Sequence, residues 1–255
     1  MKMIVNDYLD ELYNFCLSDP TLYAFVLWDI VFHRKRCDFF IVLNEDNKIS
    51  GFMVLYKKSS IKSVLVYGND EAISELSKHI MAITDGKAIV HCLLEQKEVI
   101  MKELEVVSEY TIDIMDIKKG EENLIINHKV DLLATKDFVK LSRLIGENKA
   151  RNMLSLMIPV FGIFHDDELI SVAGTLVRLN DVWMIGGVYT HPKFRNRGYA
   201  SSVVSYWVME AFKHTRNACL WVRSDNIPAI RLYNKIGFKF KRKQAWINTY
   251  EDIKP

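Results

Sequence analysis

The 255-residue sequence has few of the residues that mark metal or redox chemistry. It contains four cysteines, Cys16, Cys37, Cys92 and Cys219, and no two of them have the C-x-x-C spacing of a zinc or redox site. No other zinc-ligand spacing occurs. We therefore expect buried free thiols, as in proteins of a reducing cytosol, and no metal.

A long hydrophobic run and a strong net charge are also missing. The longest apolar run, "TLYAFVLWDIVF", contains Asp29 and is too short to span a bilayer. Asn6, Asp7 and Asp10 interrupt the start of the chain, so no signal-peptide pattern is present. The net charge of +2 gives no reason to expect a nucleic-acid or membrane partner. The sequence predicts a soluble cytoplasmic protein, in which the basic stretch "KFKRK" is a strand with a solvated face.

The glycine-rich motifs of the common nucleotide-binding loops are absent. Neither G-x-G-x-x-G nor a GKS or GKT sequence occurs, which disfavours a dinucleotide or a nucleoside triphosphate. The chain instead has "RNRGYA" directly before an amphipathic helical pattern that runs to Phe212. A helix start offers unpaired N–H groups and the positive end of the dipole, while Gly198 allows close backbone approach and Arg195 and Arg197 add charge. This combination predicts an anion site, and a pyrophosphate fits it better than a lone carboxylate.

The elements around this loop can be read from periodicity. Thr135 begins a predicted helix that ends near Gly146, and a second short helix runs to Ile158. The strands "VFGIF", "LISVAGTLVRL" and "VWMIGGVYT" then form an antiparallel meander, in which Gly186-Gly187 predicts a bulge or a close backbone approach. After the helix behind the loop come a strand "NACLWVR", a helix "DNIPAIRLYNKIGF" and a strand "FKFKRKQAWI".

The first half repeats this order of elements. Helices fit "VNDYLDELYNFCL", "DEAISELSKHIMAIT" and "EQKEVIMKEL", and strands fit "CDFFIVLNEDNKISGFMVLYKK", "IKSVLVYG", "KAIVHCLL" and "VVSEYTIDIM". An old duplication follows from this order, with "DIKKGEEN" (116–123) as the linker. The expected domains are residues 1–120 and 121–255.

Two motifs of the second half carry a family resemblance. "VYTHPKFRNRGYA", with Arg195-x-x-Gly198-x-Ala200, resembles the coenzyme A pyrophosphate loop of the GCN5-related N-acetyltransferase (GNAT) superfamily. "DNIPAIRLYNKIGF" resembles the last helix of that superfamily, and one strand separates the two motifs. The tandem plan is similar to the glycine N-acyltransferase-like, FR47-like branch. The resemblance implies an α/β (α+β) fold of two tandem GNAT-like domains, each a mixed, mostly antiparallel splayed sheet flanked by helices, and a degenerate first copy.

The resemblance also implies an activity and a set of site residues. Acetyl-CoA would bind the second domain only, and a primary amine of a small molecule or peptide would attack its acetyl carbonyl directly. Tyr233 would protonate the departing thiolate, and a strand amide near Tyr189 would support the oxyanion. The expected coenzyme-binding residues are Val188, Tyr189, Thr190, Arg195, Asn196, Arg197, Gly198, Tyr199, Ala200, Ser201, Asn226 and Lys235.

One departure from the family pattern leaves the function open between alternatives. Many members have a glutamate on the fourth strand as general base, and here that strand, "VWMIGGVYT", has no carboxylate. Glu147, Asp181 and His191 are candidate bases. A water relay to backbone and side chains, or an acceptor amine that is already neutral, would replace a strand carboxylate. The alternatives are a non-catalytic acyl-CoA-binding or sensing module and an acetyltransferase of protein lysines or N-termini. Trp183 and Tyr189 would either line the acceptor pocket or cover the sheet.

Overall fold

The computed structural model describes residues 1–155 and 158–251, and the chain divides into two compact units. The first unit contains Met1–Ile114, Arg223–Asp225 and the described residues from Arg242 onward. The second contains Met115–Val222 and Asn226–Lys241. The units therefore differ from a division of the sequence at residue 120, because the end of the chain returns to the first unit.

The first unit consists of a mixed β-sheet and several helices. Its helices and strands are β1 (Lys2–Val5), α1 (Leu9–Cys16), α2 (Ala24–Phe32), β2 (Cys37–Leu43), β3 (Ile49–Tyr56), β4 (Lys62–Gly68), α3 (Asp70–Ser77), α4 (Ile80–Ile83), β5 (Ala88–Leu93), α5 (Lys97–Met101) and β6 (Ser108–Lys118), of which the residues to Ile114 belong to this unit. Strands β1 to β4 pair antiparallel in chain order, and β4 pairs parallel with β5.

The structure differs from the sequence-based expectations at three places. Helix α2 lies in the apolar run that the sequence excluded as a membrane span, and it has no polar face that a periodicity argument could detect. The single helix expected over residues 70–84 is broken into α3 and α4. The predicted linker also begins inside β6, because Asp116 to Lys118 continue that strand.

The second unit follows the predicted order closely. Its elements are β7 (Asp131–Leu132), α6 (Phe138–Ile145), α7 (Glu147–Ser155), β8 (Phe161–His165), β9 (Glu168–Arg178), β10 (Trp183–Thr190), α8 (Tyr199–Ala211), β11 (Asn217–Arg223), α9 (Ile227–Ile236) and β12 (Lys239–Asn248), of which the residues from Arg242 belong to the first unit. Strands β7 to β10 pair antiparallel in chain order, and β10 pairs parallel with β11.

Local signals explain most of these boundaries. Asp166 and Asp167 both have positive φ, which a tight hairpin turn between β8 and β9 requires. Helix α9 begins after Asn226, whose side chain accepts from the backbone N–H of Ala229, and ends at Gly237 in the left-handed conformation. The predicted short helix to Ile158 is α7, described as Glu147–Ser155. Residues 156 and 157 lie outside the described residues, and Ile158 is not helical.

The basic stretch in β12 is not an open cationic face. In the second unit, Lys239 pairs with Glu121 at 3.0 Å and Lys241 with Asp116 at 2.9 Å. In the first unit, Arg242 lies 3.2 Å from Glu95 and Lys243 lies 3.0 Å from Asp113. Each of these four basic side chains therefore has a carboxylate partner, and Lys239 and Arg242 remain exposed to solvent.

The cysteines agree with the expectation from composition. None of the four cysteines forms a disulfide with another described residue, and all four are buried in the positions of core side chains. No helix among the described residues is long and apolar enough to cross a membrane.

Candidate functional site

The site of the second unit begins at an irregularity in β10. The register between β9 and β10 shifts between Gly186 and Tyr189, and Gly187 in that interval has φ of 62°. A Cβ added at Gly186 would collide with the side chain of Leu176, and one added at Gly174 would collide with Met153 Cε. The paired glycines therefore form a β-bulge at which a side chain has no room, as the sequence predicted.

Strands β10 and β11 separate just before this bulge. Strand β10 pairs with β11 only at Trp183 with Ala218 and Met184 with Cys219, although β10 continues to Thr190. From Ile185 onward, the β11 side of β10 has no strand partner among the described residues. The backbone of this segment therefore lines a wedge in which N–H and C=O groups can bind an extended ligand.

The loop after β10 leads into the long helix α8. The side chain of Arg195 donates from Nε to the carbonyl oxygen of Thr190 at 3.1 Å, which fixes the loop against the end of the strand. Asn196 has φ of 61°, and Gly198, the N-cap residue, has φ of 83°. Both turn the backbone through the left-handed region, which Gly and Asn adopt most readily.

The N-terminus of α8 has no side-chain cap. The first hydrogen bond of the helix runs from the N–H of Ser202 to the carbonyl of Gly198, at 3.0 Å. The N–H groups of the preceding residues, 199–201, have no acceptor inside the helix. They point toward the space in front of the helix, where the dipole favours an anion.

The two arginines of this loop have no carboxylate partner among the described residues. The guanidinium of Arg195 lies 5.8 Å from the ring centre of Tyr189, and that of Arg197 lies 5.7 Å from the ring centre of Phe194. Both side chains are exposed. Two cations near an uncapped helix start create a strongly anion-selective position.

His128 shapes this loop and was missed by the sequence analysis. Its Nε2 lies 2.9 Å from the carbonyl oxygen of Arg197, and its ring lies 4.1 Å from that of Tyr199. A Cβ added at Gly198 would lie 3.6 Å from the same His128 nitrogen. No local pattern could reveal this contact, because His128 is far from the loop in sequence.

Tyr233 lies on α9 and is 7% exposed. Its ring packs edge-on against Phe238 at 5.9 Å, in the same hydrophobic cluster that contacts Val188 and Tyr199. The hydroxyl makes no hydrogen bond within residues 1–155 and 158–251. Burial raises the pKa of Tyr233 to about 12, so that the hydroxyl stays protonated throughout the neutral range.

The remaining predicted binding residues occupy different environments. Thr190 is buried, and its hydroxyl lies 2.8 Å from that of Ser171. Asn226 uses its side-chain oxygen to cap α9, with a long 3.4 Å bond from Ala229 N–H. Lys235 is exposed in the last turn of α9.

The three candidate bases form other contacts. Glu147 pairs with Arg151 at 2.6 Å, and His191 Nδ1 accepts from the backbone N–H of Lys193 at 3.3 Å. The backbone carbonyl of Asp181 accepts from Asn217 at 2.9 Å, at the opposite end of β10 from the bulge. The structure thus adds no reason to assign any of them as the base.

A cavity of about 490 Å³ opens beside the bulge. It is bounded by α6, α7 and the end of β10. The lining residues are Leu144, Ile145, Lys149, Asn152, Met153, Gly187, Val188 and Tyr189. Of the two aromatic residues considered for such a pocket, Tyr189 lines it, whereas Trp183 is buried and packs against Trp207 and His214.

Comparison with known proteins shows that the wedge and the loop lie in a segment that matches a known family. Residues 160–247 match the family model described as FR47-like protein. The chain is similar to a tandem GNAT protein from the clavulanic acid biosynthesis pathway, with 10% identity over 98% of this chain and 100% of that one and a TM-score of 0.64. This chain has a tandem GNAT fold. The resemblance inferred from the two motifs, and the fold class with it, is therefore confirmed.

Other comparisons agree with the tandem GNAT fold or add nothing to it. An X-ray structure of a Drosophila protein matches with 15% identity over 97% of both chains and a TM-score of 0.73. A GNAT-family protein from Novosphingobium aromaticivorans is 20% identical over 56% of this chain, which spans 65% of that protein, with a TM-score of 0.48. No curated protein matches the sequence.

Proposed function

We propose that the second unit of this tandem GNAT protein transfers an acetyl group from acetyl-CoA to a primary amine. The observation that carries the proposal is the start of α8 behind Gly198, which no described side chain caps, with two arginines in the same loop that have no carboxylate partner among the described residues. A pyrophosphate fits this position because it can accept several backbone N–H groups at once and is attracted by the dipole and the guanidinium groups.

The wedge beyond the loop suits the pantetheine arm of the same molecule. Val188 and Thr190 lie on the part of β10 that has no strand partner on its β11 side, so their backbone groups can pair with the amides of the arm. Asn226 and Lys235 on α9 would contact the coenzyme from the other side. The arm then leads from the charged loop to the bulge, where the acyl group meets the cavity.

The residues at the bulge supply the chemistry of a direct transfer. The amine nitrogen attacks the carbonyl carbon and forms the C–N bond, and a backbone N–H near Tyr189 stabilises the oxyanion. The C–S bond then breaks and the sulfur takes its electron pair. Tyr233 donates its proton to that sulfur and regains one as the nitrogen loses a proton, which leaves an amide and the free thiol.

The first test measures binding and transfer separately. Calorimetry with acetyl-CoA determines whether the loop binds the coenzyme, and release of free thiol with a panel of amines, amino acids and peptides determines whether transfer occurs. Binding followed by amine-dependent thiol release supports the proposal. Absence of acetyl-CoA binding contradicts it.

A non-catalytic acyl-CoA-binding module remains the second candidate. It is favoured by the absence of a carboxylate on β10 and by the other contacts that Glu147 and His191 make. This candidate predicts tight acetyl-CoA binding without thiol release for any acceptor.

A further inference from the structure

The cavity beside the bulge has walls that are mainly apolar. Leu144 and Ile145 come from the end of α6, Met153 from α7, and Val188 and Tyr189 from β10. The side chain of Met153 also packs against Gly174 of β9 and Gly187 of β10, because a Cβ added at either glycine would contact it. The cavity thus ends against the bulge, where the proposed function places the acyl carbonyl.

The charged groups around this cavity are mainly cationic or neutralised. Lys149 is the one charged residue in the described lining, and it is exposed at the mouth without a carboxylate partner among the described residues. On the same helix, Glu147 is paired with Arg151 at 2.6 Å. On α6, Lys140 is paired with Asp167 at 2.5 Å.

The remaining titratable groups on the surrounding elements lie outside this cavity. Arg143 of α6, Glu168 of β9 and His191 line a separate cavity of about 380 Å³. Arg178, at the far end of β9, lies over the ring of Trp183 at 5.3 Å. Strand β10 itself contributes Tyr189 and no carboxylate.

These surroundings disfavour an ammonium group. An alkylammonium that enters an apolar cavity loses solvation and meets the positive charge of Lys149, and no lining carboxylate compensates it. We infer that this cavity is the acceptor site and that it takes apolar, weakly basic amines in their uncharged form. This inference rests on the proposed function and specifies its substrate class.

The same reasoning accounts for the missing general base. A neutral amine has a free electron pair and attacks the carbonyl without prior deprotonation. The proton that its nitrogen releases after attack replaces the one that Tyr233 gives to the sulfur. The ionisation that controls the rate is then that of the acceptor, not that of an enzyme carboxylate.

The test compares two acceptors of equal length, pentylamine and 2,2-difluoropentylamine, of which the fluorinated amine is the weaker base. At pH 7, kcat/KM should be at least about tenfold higher for the fluorinated amine, because each unit of amine pKa changes the neutral fraction about tenfold. For each acceptor, kcat/KM should rise with pH and level off at the pKa of that amine.

A charge reversal at the mouth of the cavity tests the part played by Lys149. Lys149→Glu replaces a charge that repels the ammonium form of the acceptor by one that attracts it. At pH 7 it should lower KM for pentylamine, which is mostly an ammonium ion, by about fivefold, as expected for a partly screened charge. KM for the fluorinated amine, the weaker base, should change little. Lys136→Glu is the matched control, since it makes the same charge change at an exposed residue outside the cavity.

The outcomes separate this inference from the proposed function. Transfer to both amines with a pH profile that breaks at the same pH indicates an enzyme base and overturns the inference alone. A preference for pentylamine at pH 7 also overturns it. If neither of these two amines is acetylated but another acceptor of the panel is, this inference fails and the proposed function stands. Binding of acetyl-CoA without thiol release for any acceptor of the panel overturns both.

Discussion

In each unit a helix follows the corresponding strand, and the two helices begin in opposite ways. In the first unit, one residue, Asn69, separates β4 from α3, and its side chain caps the helix by accepting from Ala72 N–H at 2.9 Å. Asp70 and Glu71 add negative charge to the first turn. In the second unit, an eight-residue stretch (191–198) separates β10 from α8, the helix has no side-chain cap, and the charges are cationic.

The hydrogen bonding of polar side chains near the two sites also differs. In the first unit, Gln96 donates to the carbonyl of Gly68 at the end of β4, and Gln244 donates to the hydroxyl of Tyr67 at 2.8 Å. In the second unit, the hydroxyl of Tyr233 has no such partner among the described residues. The start of α3 is thus capped by its own side chain, whereas the N–H groups at the start of α8 have no side-chain acceptor among the described residues and can bind a ligand.

Gly198→Trp should have the largest effect on this difference. The new side chain is strained at φ of 83° and blocks the approach of a phosphate to the helix start. We expect the Kd for acetyl-CoA, measured by calorimetry, to rise at least about 100-fold. Gly120→Trp is the control, because Gly120 also has positive φ but lies in open space. Unchanged affinity in Gly198→Trp would contradict the assignment of the loop.

Tyr233→Phe should lower kcat at least about tenfold and leave the Kd for acetyl-CoA nearly unchanged, because only the proton donor is lost. Tyr206→Phe is a matched control on α8, where the ring packs against Phe161 at 5.3 Å. Burial raises the pKa of Tyr233 to about 12, so its protonated form persists as pH rises and its contribution to the rate should not decline between pH 7 and 10. Wild-type turnover in the phenylalanine variant would make Tyr233 a packing residue.

Arg197→Glu should weaken acetyl-CoA binding by a smaller factor. The side chain is exposed and screened by salt, so we expect a loss of about fivefold that shrinks as ionic strength rises. The expected effect at Arg195 is mixed, because its side chain also holds the loop to Thr190. An Arg197→Glu variant that binds equally well at low salt would indicate an ordinary solvated charge.

Asn69→Ala should have the smallest effect and should be confined to stability. Loss of the cap of α3 should lower the free energy of unfolding by about 1 kcal/mol and leave acetyl-CoA affinity unchanged. Asn226→Ala removes the weaker cap of α9, and we expect it to reduce acetyl-CoA affinity as well. Urea unfolding and calorimetry on both variants measure the two quantities. If Asn69→Ala and Asn226→Ala lost acetyl-CoA affinity equally, the first unit would contribute to coenzyme binding as much as the second, which would contradict the comparison.

The sequence predicted the second unit better than the first for a physical reason. Turns, caps and periodic faces are local, so β8 to β10, α8 and α9 could be found from Asp166-Asp167, Gly198 and Asn226. Helix α2 has no polar stripe and gave no periodic signal.

Features that depend on distant parts of the chain could not be found from sequence. Strand β12 pairs with β5, from Gln244 with Leu93 to Asn248 with Ile89, and this pairing returns the chain end to the first unit. The contact of His128 with the loop and the lining of the proposed acceptor cavity likewise join segments far apart in sequence. The acidic first turn after Asn69 is a local feature, and it favours the prediction that the first copy does not bind the coenzyme.

The stoichiometry of acetyl-CoA binding tests the central claim most directly, because it counts the helix starts that accept a pyrophosphate. A calorimetric titration of the full chain should give one acetyl-CoA per chain, with that site lost in Gly198→Trp. Two molecules per chain, or one that persists in Gly198→Trp, would contradict the account, since the first unit or another surface would then bind the coenzyme.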